Sequence, residues 1–412
     1  MVGSRKRVRS DRRDIADGES QFLRAFHPAF VSSRGPRSNG LTPIRLAAAI
    51  SLFALPTAAL AASNLYVATT GVDAGSCTNS ASPCKTITYA YAHASAGATV
   101  NVAPGTYTDN TPGYGIHLGK SGAAGAPITL LSTVRGAAIV NEAKCAVSGK
   151  SYCNGFYVDG NYNVISGFTI TGAPDDGIAN YGGSHNAYQW NKIYGNGLHD
   201  STIGHYAQGI YEDGNSSYNV FNGNLVYDNG SIKHYDHNFY LMGFYDVITN
   251  NVAYNALGYN FQFYNQSASG TNVGYKVYNN VAVGATYGGF VLADNVQGLD
   301  FENNIAYGNA TFGVGGSTGY GTGVVLKNNF GYANGSLGDF CPTCTSSTFK
   351  YSNTNFAHKN PLFQNIAAGN FYLTSASPAI NAGVYLSMVT KYEDGTARPS
   401  GANTVGSLPV KP

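Results

Sequence analysis

An asparagine recurs through the middle of the chain, each time followed by residues typical of a short β-strand. The six copies are spaced 33, 27, 29, 24 and 25 residues apart: Asn191, Asn224, Asn251, Asn280, Asn304 and Asn329. A short β-rich unit that repeats at such intervals predicts a solenoid in which each repeat is one coil. An asparagine at one corner of every coil can adopt the left-handed backbone that a corner needs, and its amide can hydrogen-bond to the equivalent amide one coil away. We therefore predict an internal asparagine ladder.

A second row of strands can be aligned independently of the ladder. Five apolar residues share one column and are predicted to point inward: Ile178, Ile210, Phe239, Phe261 and Phe290. Side chains alternate along a strand, so the residues that follow them are predicted to point outward: Ala179, Tyr211, Tyr240, Gln262 and Val291. Strands of neighbouring coils lie about 4.8 Å apart, and Tyr211 and Tyr240 are therefore expected side by side.

The first 61 residues are interpreted as a leader and signal peptide. An apolar stretch from Leu46 to Leu60 follows Arg45 and ends in the small-x-small pattern of a cleavage site after Ala61. The stretch is too short to span a membrane, and no later segment replaces it. Without the leader the chain carries 14 Lys and Arg against 18 Asp and Glu, so a nucleic-acid partner is not expected.

The cysteines support an exported protein. All six fall in close pairs, Cys77 with Cys84, Cys145 with Cys153, and Cys341 with Cys344. In an exported chain such spacing predicts three local disulfides, although 15 pairings are formally possible. We therefore predict a secreted or periplasmic protein without a membrane span, and we expect it to be a monomer.

The two ends of the chain carry further signals. The residues after the leader predict a strand, a disulfide-closed loop, a short amphipathic helix from Ile87 to Ala94, and a first coil strand ending at Tyr107. This opening resembles the N-terminal signature of secreted right-handed parallel β-helix proteins, the group that includes pectate-lyase-like and alginate-lyase-like polysaccharide enzymes. The tail from Asn360 to Gly383 is similar to the closing segment of the same proteins.

The resemblance implies an all-β fold, a single-stranded right-handed parallel β-helix with a short N-terminal capping helix. One domain would then cover residues 62–412, with a cap at about 64–107 and a closing segment at about 355–412. The partner that the resemblance implies is an extracellular polysaccharide. The activity stays open, because this architecture also carries hydrolases, epimerases, adhesins and tailspikes.

The densest cluster of titratable side chains lies where the chain enters the second row of strands. Counted back from the strand start, His205 and His234 occupy one position, and Gln208 and His237 share another. Stacked coils therefore predict a groove lined by histidine, tyrosine, aspartate and lysine. Its candidate residues are His205, Gln208, Tyr211, Lys233, His234, Asp236, His237 and Tyr240, with Asp175 and Asp176 from the preceding coil.

Such a cluster suits a polysaccharide lyase. Elimination at a uronic acid needs a base, a proton donor for the leaving oxygen, and a group that neutralises the carboxylate. His234 or His237 could be the base, Tyr240 or Tyr211 the proton donor, and Lys233 the neutralising cation. The residues expected to bind the substrate are Gln208, Gln262, Tyr264 and Asp236, and His205 is a further catalytic candidate.

Other interpretations remain open. A glycoside hydrolase needs paired carboxylates, which Asp175, Asp176, Glu212 and Asp213 could supply, and the same oxygens could hold Ca²⁺. The two aspartates could equally close a turn, the histidines could bond loop carbonyls at a corner, and the aromatic face could belong to a non-catalytic glycan-binding module. No arginine lies between Arg135 and Arg398, which argues against an arginine-dependent site in the central coils. The predicted function is eliminative cleavage of an acidic polysaccharide.

Overall fold

The computed structural model describes residues 63–109, 114–145, 153–198, 206–265, 273–293, 296–316, 323–340, 349–351, 354–401 and 404–411. Within these residues the chain forms 31 strands, one α-helix and a short 3-10 helix at Ile366–Ala368. Most strands belong to three parallel sheets, and each coil contributes one strand to each sheet in turn. The predicted leader, His205 and the pair Cys341 and Cys344 lie outside the described residues.

Sheet 1 has eleven strands: β1 (Asn64–Val67), β2 (Thr99–Val102), β5 (Ile128–Ser132), β8 (Asn163–Ser166), β11 (Ala187–Gln189), β14 (Val220–Asn222), β17 (Val247–Thr249), β20 (Lys276–Tyr278), β23 (Asp300–Glu302), β26 (Val324–Lys327) and β29 (Phe349–Tyr351). Sheet 2 has nine: β4 (Gly115–Leu118), β7 (Asn154–Val158), β10 (Ile178–Asn180), β13 (Ile210–Glu212), β16 (Phe239–Leu241), β19 (Phe261–Tyr264), β22 (Gly288–Ala293), β25 (Phe312–Gly316) and β28 (Gly338–Phe340).

Sheet 3 also has nine strands: β3 (Gly105–Tyr107), β6 (Ala138–Asn141), β9 (Thr169–Thr171), β12 (Lys192–Tyr194), β15 (Leu225–Tyr227), β18 (Val252–Tyr254), β21 (Val281–Val283), β24 (Ile305–Tyr307) and β27 (Phe330–Tyr332). An antiparallel pair, β30 (Phe363–Asn365) and β31 (Asn370–Leu373), follows near the C-terminus. The predicted fold class, a right-handed parallel β-helix, is confirmed.

The asparagine ladder is confirmed. Each of the six side chains donates from Nδ2 to Oδ1 of the asparagine in the next coil, as Asn224 does to Asn251 at 3.0 Å, and Asn329 extends the ladder to Asn355 at 2.9 Å. The same Nδ2 groups also donate to carbonyls inside the coil, as Asn191 does to Ile165 at 3.0 Å. The side chains of these six asparagines are buried and hydrogen-bonded. The ladder therefore satisfies the polar groups at one corner of the coil.

The left-handed backbone predicted for the ladder asparagines is wrong. The residue before each of them has the positive φ instead, for example 52° at Trp190 and 56° at Asn250. The backbone N–H of a ladder asparagine points along the helix axis and donates to the next asparagine, as Asn191 does to Asn224 at 3.1 Å. The corner is therefore turned one residue earlier, at a residue whose N–H donates to a backbone carbonyl of the next coil, as Trp190 does to Asn222 at 3.0 Å.

A second ladder, which the sequence analysis missed, lies at the corner between sheet 3 and sheet 2. Its Nδ2-to-Oδ1 bonds, 2.8 to 3.2 Å long, join Asn196, Asn229, Asn238, Asn260, Asn309 and Asn334. Asn238 and Asn260 each stand directly before a strand of sheet 2. The other four asparagines each stand two residues after a strand of sheet 3, so the ladder bridges the two sides of this corner.

The predicted register of the second row is confirmed in sheet 2. Ile178 pairs with Ile210, then with Phe239, Phe261 and Phe290 in successive coils, and all five side chains are buried. Phenylalanine rings stack along the core, with centroids 4.6 Å apart between Phe239 and Phe261. The next column pairs Tyr211 with Tyr240, as predicted.

One helix and two disulfides lie in the N-terminal part of the solenoid. Helix α1 (Ile87–His93) begins at Thr86, whose hydroxyl accepts from the N–H of Tyr89 at 3.2 Å, and it buries Ile87, Ala90 and Tyr91. The helix is confirmed to within one residue. Two of the predicted disulfides, Cys77–Cys84 and Cys145–Cys153, are present.

The C-terminal residues pack on the outer face of sheet 3. Phe371, Leu373 and Val405 contact outward side chains of β18, β21 and β24. Both arginines that follow the predicted leader bond the C-terminal residues to the coils. Arg135 Nη1 donates to the carbonyl of Glu393 at 2.8 Å, and Arg398 Nη2 donates to Asn250 Oδ1 at 3.0 Å. Within the described residues, no helix has the length and apolarity that crossing a membrane requires.

Candidate functional site

Three of the predicted site residues come together on the outer face of sheet 2. The ring centroids of Tyr211 and Tyr240 lie 5.8 Å apart, and that of His237 lies 5.7 Å from Tyr240. The two tyrosines are half-buried. We call Tyr211, Lys233, His234, His237 and Tyr240 the central site.

His237 is held rigidly just before β16 begins. Its backbone N–H donates to Gln208 Oε1 at 2.6 Å, and its ring packs against Tyr259 with centroids 5.2 Å apart. The N–H of Tyr259 donates to His237 Nδ1 at 2.9 Å. An Nδ1 that accepts has no proton of its own, so the neutral ring carries its proton on Nε2. Burial lowers the pKa of His237 to about 3, and His237 is therefore a neutral donor through Nε2.

His234 is less buried than His237 and has an unusual backbone conformation. Its φ of 82° is unusual for a residue other than glycine. Its ring meets Tyr287 edge to face at 4.2 Å, and burial lowers the pKa of His234. The Nδ1 atom of His234 has no hydrogen-bond partner in the part of the chain that the structure describes. His234 is therefore a neutral imidazole whose Nδ1 is buried, and Lys233 beside it is exposed.

The turn that carries His234 is built by Asp236. Asp236 Oδ2 accepts from the N–H groups of Ser231, at 2.7 Å, and Ile232, while Oδ1 accepts from the N–H of Ala207 at 3.3 Å. Asp236 is fully buried. This candidate for substrate binding thus has its carboxylate directed at backbone donors.

The other residues expected to bind substrate surround the central site. Gln208 is buried, and its amide bonds the backbone of His237 through Oε1 and the carbonyl of Tyr235 through Nε2, at 3.4 Å. Gln262 pairs with Tyr240 in the register, and its buried Oε1 has no partner among the described residues. The ring of Tyr264 lies 5.9 Å from that of Tyr240. Gln262 Oε1 is thus a buried acceptor that no described donor satisfies.

Three of the four candidate carboxylates are buried rather than open. Asp175 and Asp176 are at most 1% exposed, and Asp176 Oδ1 accepts from the N–H of Gln208 at 2.6 Å. Glu212 points into the coil, where Asn219 Nδ2 donates to its Oε1 at 2.7 Å. Its other neighbour is the carboxyl of Asp246, and burial raises the pKa of Glu212 to about 7.

The fourth carboxylate closes a turn. Asp213 Oδ1 accepts from the N–H of Gly182 at 2.8 Å and from the hydroxyl of Ser216 at 2.9 Å. Burial, followed by the charges of Asp213, Asp176 and Asp175, holds the pKa of the Tyr211 phenol above its ordinary value. Tyr211 therefore remains a hydroxyl donor.

The four carboxylates do not form a common set of metal ligands. Among the described residues, the one group of three potential ligand atoms within 4.8 Å of one another is Glu142 with Cys145 and Cys153. Those two cysteines form a disulfide and offer no thiolate. The predicted calcium site remains a prediction.

The sequence analysis missed a row of rings that leads to the central site. His117, Tyr157 and Tyr181 lie on the outer face of sheet 2 in the coils before Tyr211, and His117 Nε2 contacts Asp159 Oδ1 at 2.9 Å. A signal was present, because Gly155-Phe156-Tyr157 repeats the pattern of Gly209-Ile210-Tyr211. Extending the alignment by one coil towards the N-terminus would have found Tyr157.

No family model matches the chain, and no curated protein matches it in sequence. Among solved structures, it is similar to pectate lyase Pel9A, with a TM-score of 0.60 and 21% identity over 84% of this chain and 96% of that one. A rhamnogalacturonan lyase has a TM-score of 0.43 and 20% identity over 66% of this chain and 69% of its own. The A-module of the mannuronan C-5 epimerase AlgE4 from Azotobacter vinelandii has a TM-score of 0.41 and 17% identity over 58% and 70%.

The likeness to pectate lyase Pel9A and the three parallel sheets show that the chain has the right-handed parallel β-helix fold. The likeness to pectate lyase Pel9A covers most of both chains and concerns the fold. The chemistry has to be argued from the central site itself.

Proposed function

We propose that this protein is an exported polysaccharide lyase that cleaves a uronate-containing polysaccharide by β-elimination at the central site. The observation that supports this most is the convergence of neutral imidazoles and phenols on the outer face of sheet 2. The candidate carboxylates nearby are buried or bonded to turns. A glycosidase pair needs an open acid and an open base or nucleophile, so the same geometry gives a hydrolase less support.

Each step of an elimination has a candidate group. Neutral His234 takes the proton from the ring carbon beside the carboxylate, and Tyr240 donates a proton to the glycosidic oxygen as its bond to the ring breaks. A carbon–carbon double bond forms between the two ring carbons. The Nε2–H of His237 and the ammonium of Lys233 bind the carboxylate and stabilise the negative charge that develops on it.

Gln262 and Tyr264 complete the proposed site beside Tyr240. The buried side chain of Gln262 lies next to Tyr240 in the register, and the ring of Tyr264 supports Tyr240 from the next coil. Gln208 acts through His237, whose backbone it holds. Pectate lyase Pel9A has the same fold, and a lyase of pectate on this fold is consistent with an acidic polysaccharide as the substrate here.

The test is ultraviolet absorbance of unsaturated products while the mature protein is incubated with polygalacturonate or alginate, with and without Ca²⁺. Replacing Tyr240 by Phe keeps the ring and removes the proposed proton donor, so we expect Tyr240→Phe to lower the rate about a hundredfold or more. The matched control is Tyr227→Phe on the outer face of sheet 3, which should leave the rate unchanged.

Other outcomes would change the assignment. New reducing ends without absorbance would indicate a hydrolase, and an unchanged rate in Tyr240→Phe would remove Tyr240 from the mechanism. Binding without any product would indicate a glycan-binding module. A rate that depends on added Ca²⁺ would support the predicted calcium site.

A further inference from the structure

A continuous row of aromatic rings runs along sheet 2 from its N-terminal end to the central site. Successive ring centroids lie 4.8, 5.4, 5.2, 5.1 and 5.8 Å apart. We call this row the aromatic track; its members are Tyr114, His117, Tyr157, Tyr181, Tyr211 and Tyr240. The column that contains His117, Tyr157, Tyr211 and Tyr240 is interrupted by Ala179, and Tyr181 fills the place of the missing ring.

The track is open to solvent at its far end. Tyr114 is 41% exposed, and Tyr157, Tyr181, Tyr211 and Tyr240 are all half-buried. Neighbouring rings are partly tilted, by 43° between Tyr181 and Tyr211 and by 44° between Tyr211 and Tyr240. The rings beside the central site are therefore partly accessible and not fully stacked on one another.

Beyond Tyr240 the same column is filled by protein. Gln262 is 4% exposed and Val291 is 1% exposed. The ring of Phe312 covers the backbone of Gly288 and Gly315, so closely that a Cβ on either glycine would lie 2.3 or 2.7 Å from ring carbons. Val291 and Phe312 pack with Tyr259 and Tyr287, and we call these four residues the aromatic block.

The groove is therefore open at the Tyr114 end and closed beyond Tyr240. A pyranose presents an apolar face that stacks on aromatic rings, and the rings of the track recur at the spacing of the coils, about 4.8 Å. A sugar chain can follow the track from Tyr114 to Tyr240 and then meets the aromatic block within one or two coils. The charged side chains beside this path bond to the protein itself. Asp159 contacts His117, Asp213 accepts from Gly182 and Ser216, and the Nζ of Lys120 donates to the carbonyls of Ala92 and Ala94.

We propose that the track binds a polysaccharide from the N-terminal side only, with one chain end stopped at the aromatic block, so that cleavage is exolytic. The binding mode follows from the track and the block, and the cleavage step rests on the proposed function. Stacking rather than ion pairing would hold the chain, so its affinity should change little with salt.

The first test measures product size during digestion of polygalacturonate and alginate. We expect products of one or two sugar units from the earliest times, long residual polymer, and a slow fall in viscosity. A mixture of intermediate lengths with an early collapse of viscosity would overturn the inference. Short products without ultraviolet absorbance would leave exolytic action standing while rejecting the lyase.

The second test opens the block. Phe312→Ala should uncover the column over Gly288 and Gly315 and shift the products towards longer oligosaccharides. The matched control is Tyr332→Ala, which removes an aromatic ring from the outer face of sheet 3 and should leave product size unchanged. Unchanged products in a folded Phe312→Ala protein would count against the block as the end of the groove.

Binding decides the case in which neither polymer is cleaved. Calorimetric titration with oligogalacturonates and oligoalginates of increasing length should show affinity rising with length. Tyr157→Ala and Tyr181→Ala should each weaken binding of the long oligosaccharides about three- to tenfold and leave the shortest unaffected, with exposed Tyr245→Ala as the control. Affinity that is independent of length, or no binding at all, would overturn the proposal.

Discussion

At the scale of single residues, the buried carboxyl pair of Glu212 and Asp246 stands out. Asp246 Oδ1 accepts from the N–H of Asn219 at 2.7 Å. One coil earlier, Asn219 Oδ1 accepts the equivalent bond from the N–H of Asn186, also at 2.7 Å. Asp246 therefore continues a column of asparagines with a carboxyl group. Burial raises the pKa of Asp246 well above its ordinary value, and the neighbouring Glu212 carboxyl adds to the shift. Like charges placed side by side in the interior have no water to screen them, so the pair retains at least one proton.

Replacing Asp246 by Asn should therefore stabilise the protein at alkaline pH. The pKa of Glu212 is 4.5 when exposed and about 7 in the fold, so between these values the folded state binds more protons than the unfolded state. The free energy of unfolding consequently falls as pH rises through this window, and further where Asp246 titrates. Asn can accept the bond from Asn219 without a charge. We expect Asp246→Asn to be more stable by about 1 kcal/mol or more at alkaline pH.

Urea unfolding of the two proteins, at strongly acidic and at alkaline pH, measures this difference. The stability gain should be small well below the ordinary carboxyl pKa values of 3.8 and 4.5, where both carboxyls are protonated in either state, and should grow as pH rises. An equal difference at both pH values would mean that the pair does not titrate as described. Asn219→Ala serves as a control, because it removes a hydrogen bond without removing a charge.

Single residues also show where the sequence was sufficient. Strand alignment placed Tyr211 beside Tyr240 because register in a parallel coil is set by the inward column. The same alternation puts Glu212 inward, two residues after Ile210, although the sequence analysis offered it as a hydrolase carboxylate or a calcium ligand. The fixed tautomer of His237 could not be predicted, because it depends on the N–H of Tyr259 from the next coil.

At the scale of elements, the corners of the coil carry the least expected feature. Before sheet 1, four successive coils place an aromatic residue in the left-handed region: Tyr162, His185, Tyr218 and Tyr245, with φ between 55° and 61°. Their rings stack at 4.6, 5.0 and 5.1 Å with nearly parallel planes. A left-handed residue other than glycine costs roughly 1–2 kcal/mol, so stacking between coils has to offset this strain.

Two substitutions at Tyr218 separate the stacking from the strain. Tyr218→Ala removes the stacking of this ring on both of its neighbours and keeps the strained backbone. We therefore expect it to lower the free energy of unfolding by about 1–3 kcal/mol. Tyr218→Gly removes the same stacking but relieves the strain, and its stability should lie within about 1 kcal/mol of the parent protein. Equal losses in the two variants, measured by chemical denaturation, would show that the backbone is not strained there.

The repeating elements explain why the fold was more predictable than the site. Asparagine at one corner and an inward apolar column are local patterns that recur in every coil, so each copy reinforces the prediction. The left-handed residue was misplaced by one position because the pattern marks the corner without saying which residue turns it. The aromatic block was not foreseen, because Tyr259, Tyr287 and Phe312 come from three different coils and meet only in the folded chain.

At the scale of the whole molecule, the C-terminal residues bridge many coils. We call residues 363–401 and 404–411 the strap. Phe371 and Leu373 of the strap pack on sheet 3, Asn279 Nδ2 donates to the carbonyl of Thr404 at 3.0 Å, and Arg135 reaches Glu393 from a coil near the opposite end. In a solenoid each coil otherwise contacts only its neighbours, and such arrays can unfold from their ends. The strap connects distant coils directly.

The strap should therefore determine how cooperatively the solenoid unfolds. Phe371 is buried between the strap and β18, β21 and β24, and Phe371→Ala should cost about 3–5 kcal/mol and loosen the strap along its length. The matched variant is Phe221→Ala, which removes an equally buried ring from inside the coil and should cost a similar amount. Scanning calorimetry should show one sharp transition at a lower temperature for Phe221→Ala. For Phe371→Ala it should show a broad or divided transition, with a van't Hoff enthalpy below the calorimetric enthalpy. A single sharp transition in both variants would mean that contacts between neighbouring coils are enough to make the whole array unfold together.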